Sequence, residues 1–162
     1  MKTVYLSLGS NIGDRARNIA RAIEALGAHG VRVVRQSSLY ETEPVDVVSQ
    51  DWFLNCAVEA VTELTAQELM RTILEIERSL GRQRHVPKGP RTIDLDILLF
   101  DSAIVREPGL EIPHPRMAER RFVLVPLAEI APGARHLVLG KTITELLART
   151  LDRSEVRRLP SA

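Results

Sequence analysis

Strand, helix, strand, strand, helix, strand is the order of elements up to Phe100 of this chain. It predicts an α+β sandwich of the ferredoxin-like kind: an antiparallel sheet with helices on one face and an open face for an active site. Two observations carry that expectation. Four apolar segments have the length and alternation of strands, and two segments between them repeat apolar residues at helical spacing, each bounded by turn or capping residues.

The first strand is TVYLSL, residues 3 to 8, followed by a tight Gly-rich turn, GSNIGD. A helix from about Asp14 to His29 follows, because Ile19, Ile23 and Leu26 recur at its period. VRVVRQSSLYET, 31 to 42, reads as one second strand. After the loop PVDVVSQD, a third strand, WFLNCAVEAVT, places Phe53, Asn55, Ala57 and Glu59 on one face and Leu54, Cys56, Val58 and Ala60 on the other. Thr65 and Glu68 make a capping box for a second helix, whose stripe of Leu69, Ile73, Ile76 and Leu80 stops at Gly81. In the fourth strand Ile93, Leu95, Ile97 and Leu99 share a face at period 2, so Asp94 and Asp96 point to the other. Beyond it, 104 to 107 is expected to pair back as a hairpin strand, 122 to 131 to form a short helix with Pro126 in its first turns, and Thr142 with Glu145 to cap a last helix through Leu151.

A length of 162 residues suits one domain, 1 to 162, and the nine Gly and nine Pro are scattered rather than gathered into a linker. Apolar residues at 44% and charged residues at 27% are ordinary for a soluble globular protein and argue against disordered and fibrous classes. The N-terminal apolar run is too short for a signal peptide or a membrane span, which predicts a cytoplasmic protein without a membrane partner. Cys56 is the single cysteine and reads as a core residue. A net charge of +1 makes no general electrostatic case for nucleic acid.

Aspartate suits strands poorly and is rarely buried without a partner or a cation, so the pair in TIDLDILLF asks for a reason. D-x-D alone is short and frequent, and its first reading is two exposed aspartates on a wet sheet face. Residues i and i+2 of a strand lie roughly 6.5 Å apart, a spacing at which two carboxylates can hold Mg²⁺ ions about 4 Å apart along a polyphosphate. Arg91 and the basic run RQRHVPKGPR, with Arg82, Arg84, His85 and Lys88 and no acid, favour that second reading. GKT at 140 to 142 fails as a phosphate loop because the pattern requires Gly where Arg135 stands. There is no H-E-x-x-H and no paired cysteine motif, which argues against zinc. His114, in the Pro-flanked IPHPRMAERR, is a second candidate phosphate or ribose contact. Glu77 is an anion near the C-terminal end of its helix, where the dipole disfavours it. Phe53 beside Asn55 offers a ring to stack on a flat heterocycle and an amide to read its edge.

The segments LGSNIGDR, SSLYETEPV, FLNCAVE, GRQRHVPKGPRTIDLDILLFD and IPHPRMAERRFVLVPLAEIAP, in order from about residue 4 to residue 132, together resemble the 6-hydroxymethyl-7,8-dihydropterin pyrophosphokinase family of folate biosynthesis. The resemblance implies Mg²⁺-dependent transfer of diphosphate from ATP to the pterin hydroxymethyl group, with release of AMP. It implies that Asp94 and Asp96 coordinate two Mg²⁺ ions and that Arg82, Arg91 and Asp96 are catalytic. ATP would be bound by Glu77, Arg82, Arg84, Lys88, Arg91, His114 and Arg120, with the backbone at Ile97 reading adenine. The pterin would stack between Phe53 and Phe122, its edge read by Asn55 and the backbone at Thr42 and Val45. The chain departs from some members at three places: no Trp precedes GPR in HVPKGPR, Phe53 stands where Tyr also occurs, and Glu43 where Pro occurs. The polar connections at 43 to 51 and 82 to 90 are expected to order when substrates bind.

A monomer acting on ATP and hydroxymethyldihydropterin, without nucleic acid, is the expected assembly. The alternative is a non-catalytic ferredoxin-like module that binds a nucleotide or RNA on its open face; paired aspartates on that face repel phosphates unless a metal intervenes.

Overall fold

A computed structural model describes residues 1–44, 51–81 and 92–160. The chain runs β1 (Lys2–Ser10), α1 (Arg15–Ala28), β2 (Val31–Gln36), β3 (Tyr40–Thr42), β4 (Phe53–Thr62), α2 (Ala66–Ser79) and β5 (Asp94–Phe100). It continues through β6 (Val105–Glu107), β7 (Leu110–Ile112), α3 (Arg121–Ile130), β8 (Arg135–His136), β9 (Lys141–Thr142), α4 (Ile143–Arg149) and β10 (Val156–Arg158). Strands β10, β3, β4, β1 and β5 are hydrogen-bonded neighbours in that order, with β2 also on β4, and every pairing is antiparallel. This is the predicted ferredoxin-like α+β arrangement, with one departure: α3 and α4 cover part of the face expected to be open.

One face of the sheet is closed by α1 and α2. Ile19, Ala22 and Leu26 of α1 and Leu69, Ile73 and Ile76 of α2 pack with Val4, Leu6, Leu8, Leu54, Cys56, Val58, Leu95 and Ile97 in a single buried cluster. Both helices start where expected. Asp14 accepts from Arg17 N–H, and Thr65 and Glu68 complete both halves of their capping box. On the other face, Val123, Leu124 and Leu127 of α3 and Ile143 and Leu146 of α4 pack with Ala57, Leu98 and Leu99. Asp94, Asp96 and Phe53 remain half-exposed.

Four local expectations are corrected. The segment 31 to 42 is two strands, because Ser37 breaks the ladder: its N–H donates to Ala57 O, and its Oγ accepts from Ala57 N–H in place of a backbone carbonyl. In β5 the register shifts, with Leu6 opposite Ile97 but Tyr5 opposite Leu99, which makes Leu98 the extra residue of a β-bulge. Leu99 therefore leaves the face of Ile93, Leu95 and Ile97 and joins Leu98 in the second cluster. β6 pairs with β7 in a separate two-stranded sheet rather than back on β5. The last helix ends at Arg149, short of the exposed Leu151, and β10, which the sequence did not suggest, adds an edge to the main sheet.

Candidate active site

Residues directly opposite in an antiparallel pair share a face, so the register maps the site. One row across the sheet is Asp96, Ser7 and Ala57; the next is Asp94, Gly9, Asn55 and Tyr40; Phe53 and Thr42 form a third. The expected acid pair and the expected ring and amide thus share one face. Two strand spacings, about 10 Å, separate the row positions of Asp94 and Asn55.

β5 is a sheet edge, and the site continues beyond it. His114 N–H donates to Leu98 O at 3.0 Å and fixes the following loop to that edge. A cleft there is lined by Met70, Leu95, Asp96, Ile97, Leu110 and His114. Burial, aided by Arg120, pushes the His114 imidazole down to about 4, so the ring is neutral at pH 7. Its Nδ1 accepts from Arg116 N–H at 3.2 Å, which leaves the proton on Nε2, 3.9 Å from Asp96 Oδ1. A neutral ring at that distance is a polar contact and not a salt bridge. Arg120 also lies 5.6 Å over the Phe122 ring, joining the cleft to the start of α3.

Glu77 lies beneath β5, 1% exposed, and its carboxylate accepts from Leu95 N–H at 2.9 Å. A buried acceptor for the backbone between the two aspartates gives this side chain a role at an otherwise unfavourable helix end. On β4 the Asn55 amide donates through Nδ2 to Thr42 Oγ1 at 2.6 Å, which fixes the direction of its oxygen. Phe53 and Phe122 are both half-buried, and Phe122 packs against the cluster that includes Ala57. Cys56 is buried on the closed face with its thiol pushed up to about 12, which removes it from consideration as a nucleophile. Val45, Arg82, Arg84, His85, Lys88 and Arg91, and most of the connections at 43 to 51 and 82 to 90, lie outside the described residues.

Gly9 joins the candidate site, although the sequence places it in a turn. It lies inside β1, and a Cβ built on it would collide with Asn55 Oδ1 and stand 3.6 Å from Phe53 Cδ2. A glycine within a strand signals close approach of another group, which was the available clue.

Among the described residues no group of three or more acidic, His or Cys side chains gathers to hold a metal by itself. Two half-exposed carboxylates opposite Gly9 and Ser7 fit Mg²⁺ nonetheless: it takes hard oxygen ligands, commonly one or two carboxylates completed by water and substrate phosphates.

Fold and site define the class as a ferredoxin-like α+β enzyme with an acidic strand edge beside a ring-and-amide surface. The family model of 7,8-dihydro-6-hydroxymethylpterin-pyrophosphokinase (HPPK) matches residues 5–132. The chain is 49% identical over 160 residues to the 2-amino-4-hydroxy-6-hydroxymethyldihydropteridine pyrophosphokinase of Methylorubrum extorquens, covering 98% of this chain and 99% of that one. It is 52% identical over 127 residues to the protein of the same name in Bacillus subtilis, covering 78% of this chain and 76% of the relative. A solved Plasmodium falciparum HPPK-DHPS structure superimposes with a TM-score of 0.72 at 17% identity, over 91% of this chain and 43% of that one, a likeness of fold. The chain belongs to the HPPK family, the ATP-dependent pyrophosphokinases of folate biosynthesis.

Proposed function

We propose that this chain transfers the terminal diphosphate of ATP to the hydroxymethyl oxygen of 6-hydroxymethyl-7,8-dihydropterin, with Mg²⁺, and releases AMP. The observation that carries the reading is the shared face: Asp94 and Asp96 at one edge, with His114 and Arg120 beside them, and Phe53 with Asn55 two strands away. A flat neutral heterocycle and a polyanion need different surfaces, and the two lie about 10 Å apart, two strand spacings.

Asp94 and Asp96 would hold two Mg²⁺ ions, which would supply charge neutralisation to the transferring group. The remaining work falls to the chain's own groups. Glu77 holds the β5 backbone between the aspartates, and His114 presents Nε2–H toward Asp96. Asp96 would accept the proton of the attacking hydroxyl as the new O–P bond forms and the bond to AMP breaks. Arg82 and Arg91 would offset charge on the diphosphate, with Arg84 and Lys88 on ATP and Arg120 and His114 on its nucleotide side. The backbone at Ile97, on the sheet edge, would read adenine. Phe53 and Phe122 would stack on the pterin while Asn55, Thr42 and Val45 read its edge. In-line transfer of this kind requires positioning and charge neutralisation more than a strong base.

No helix among the described residues is long and apolar enough to cross a membrane. A cytoplasmic monomer of one domain with two small substrates, and with no nucleic-acid or membrane partner, completes the proposal. The test is a product assay with protein, Mg²⁺, ATP and the hydroxymethyldihydropterin. AMP and pterin diphosphate are the expected products; ADP, or no turnover, would overturn the reading.

A further inference from the structure

We propose that the C-terminal strand β10 is a positioning element of the pterin site, acting through Glu43 and Trp52. The inference rests on the pterin-site reading above and extends it to a part of the chain that lies beyond the matched family segment, residues 5–132.

β10 pairs with β3 so that Val156 lies opposite Thr42 and Arg157 opposite Glu41. The ladder then continues in an unusual way, because the residue after β3 is tied to the tail twice. Glu43 N–H donates to Glu155 O at 3.3 Å, and the Glu43 carboxylate accepts from Glu155 N–H at 2.6 Å. The second of these is charge-assisted and short, the stronger kind of hydrogen bond. The tail also reaches the start of β4. Arg157, oriented by an ion pair with Glu155, lies 4.9 Å over the ring of Trp52, the residue before Phe53.

The same tail segment therefore holds Thr42 with Glu43 from one side and Trp52 from the other, and the proposed pterin contacts are Thr42, Phe53 and Asn55. Thr42 matters twice, because its Oγ1 accepts a hydrogen bond from Asn55 Nδ2–H and so decides which end of that amide is left to face a ligand. A shift of Thr42 misaligns both the backbone and the amide that read the heterocycle edge. The nucleotide cleft is at β5, the opposite edge of the sheet, and shares none of these contacts. A strand that only stabilised the sheet would affect both substrates alike; a clasp on the pterin contacts affects one.

The experiment uses the full chain with Glu43→Ala, Glu43→Gln and Arg157→Ala, and measures KM for each substrate, kcat and the melting temperature. Glu43→Ala is expected to raise the pterin KM about fivefold, the effect of one lost hydrogen bond, with the ATP KM unchanged. Glu43→Gln keeps an acceptor and is expected to restore the pterin KM. Arg157→Ala, at a side chain 62% exposed and so safe for folding, is expected to raise the pterin KM less. It should also alter the emission of Trp52, the chain's single tryptophan, before any ligand is added. An unchanged pterin KM in both alanine variants, a parallel rise in both KM values, or no rescue by Gln would overturn the proposal. Wild-type protein that does not turn over the pterin would instead overturn the function on which it rests, an outcome seen before any variant is compared.

Discussion

On one face of the sheet Leu6, Leu8, Cys56 and Val58 are sealed beneath α1 and α2; one step along the same strands, on the other face, are Ser7, Gly9, Asn55 and Ala57, with Asp94 and Asp96 beside them on β5. The two sets differ by a single residue of register. Because side chains alternate strictly along a strand, stability and chemistry are assigned to alternate positions of the same segments. A change on the closed face should cost folding and spare the substrates, and a change on the other should do the reverse.

The largest separation is expected at the aspartates. Asp94→Ala and Asp96→Ala should each lower turnover by about a thousandfold or more, since they remove electrostatic stabilisation at the reacting group, while circular-dichroism melting stays near wild type. Ile73→Ala is the counterpart on the closed face. It empties a fully buried site on α2 and should cost about 3 kcal/mol in denaturant unfolding, with both KM values unchanged in the protein that remains folded. Gly9→Ala comes next. Its methyl group meets the Asn55 oxygen, so the pterin KM should rise about tenfold, equivalent to about 1.4 kcal/mol, with the ATP KM unaffected. Thr42→Val is the mildest, because it keeps the shape and removes only the acceptor for Asn55 Nδ2; a rise of about fivefold in the pterin KM is expected. A Gly9→Ala protein that lost stability and kept its pterin KM would erase the distinction between the faces at this row.

The closed face was the easier one to read from sequence. Period-2 and period-3.6 patterns mark it, and the boxes Thr65 with Glu68 and Thr142 with Glu145 announce their helices by local chemistry alone. What escaped reading depended on partners far along the chain. The bulge at Leu98 is invisible because both faces are apolar there, and a run such as DILLF carries no alternation to break. The interruption at Ser37 depends on Ala57, and the short VRR of β10 reads as tail until β3 is beside it. In the site, Asp94 and Asp96 were legible because they violate strand preference, and Glu77 because it violates the helix dipole. Gly9 suits a strand poorly too, but beside GSNIGD it reads as part of the turn; only Asn55 across the ladder gives it a purpose.

The division of labour between the faces rests on the paired carboxylates as a metal-completed seat for a polyphosphate. Calorimetric titration of a nonhydrolysable ATP analogue into wild type and into Asp94→Asn/Asp96→Asn, each with and without Mg²⁺, addresses it directly. The account predicts binding that requires Mg²⁺ in wild type and gains nothing from Mg²⁺ in the variant. Tight binding to wild type without Mg²⁺, or an Mg²⁺-dependent gain that survives both substitutions, would contradict it.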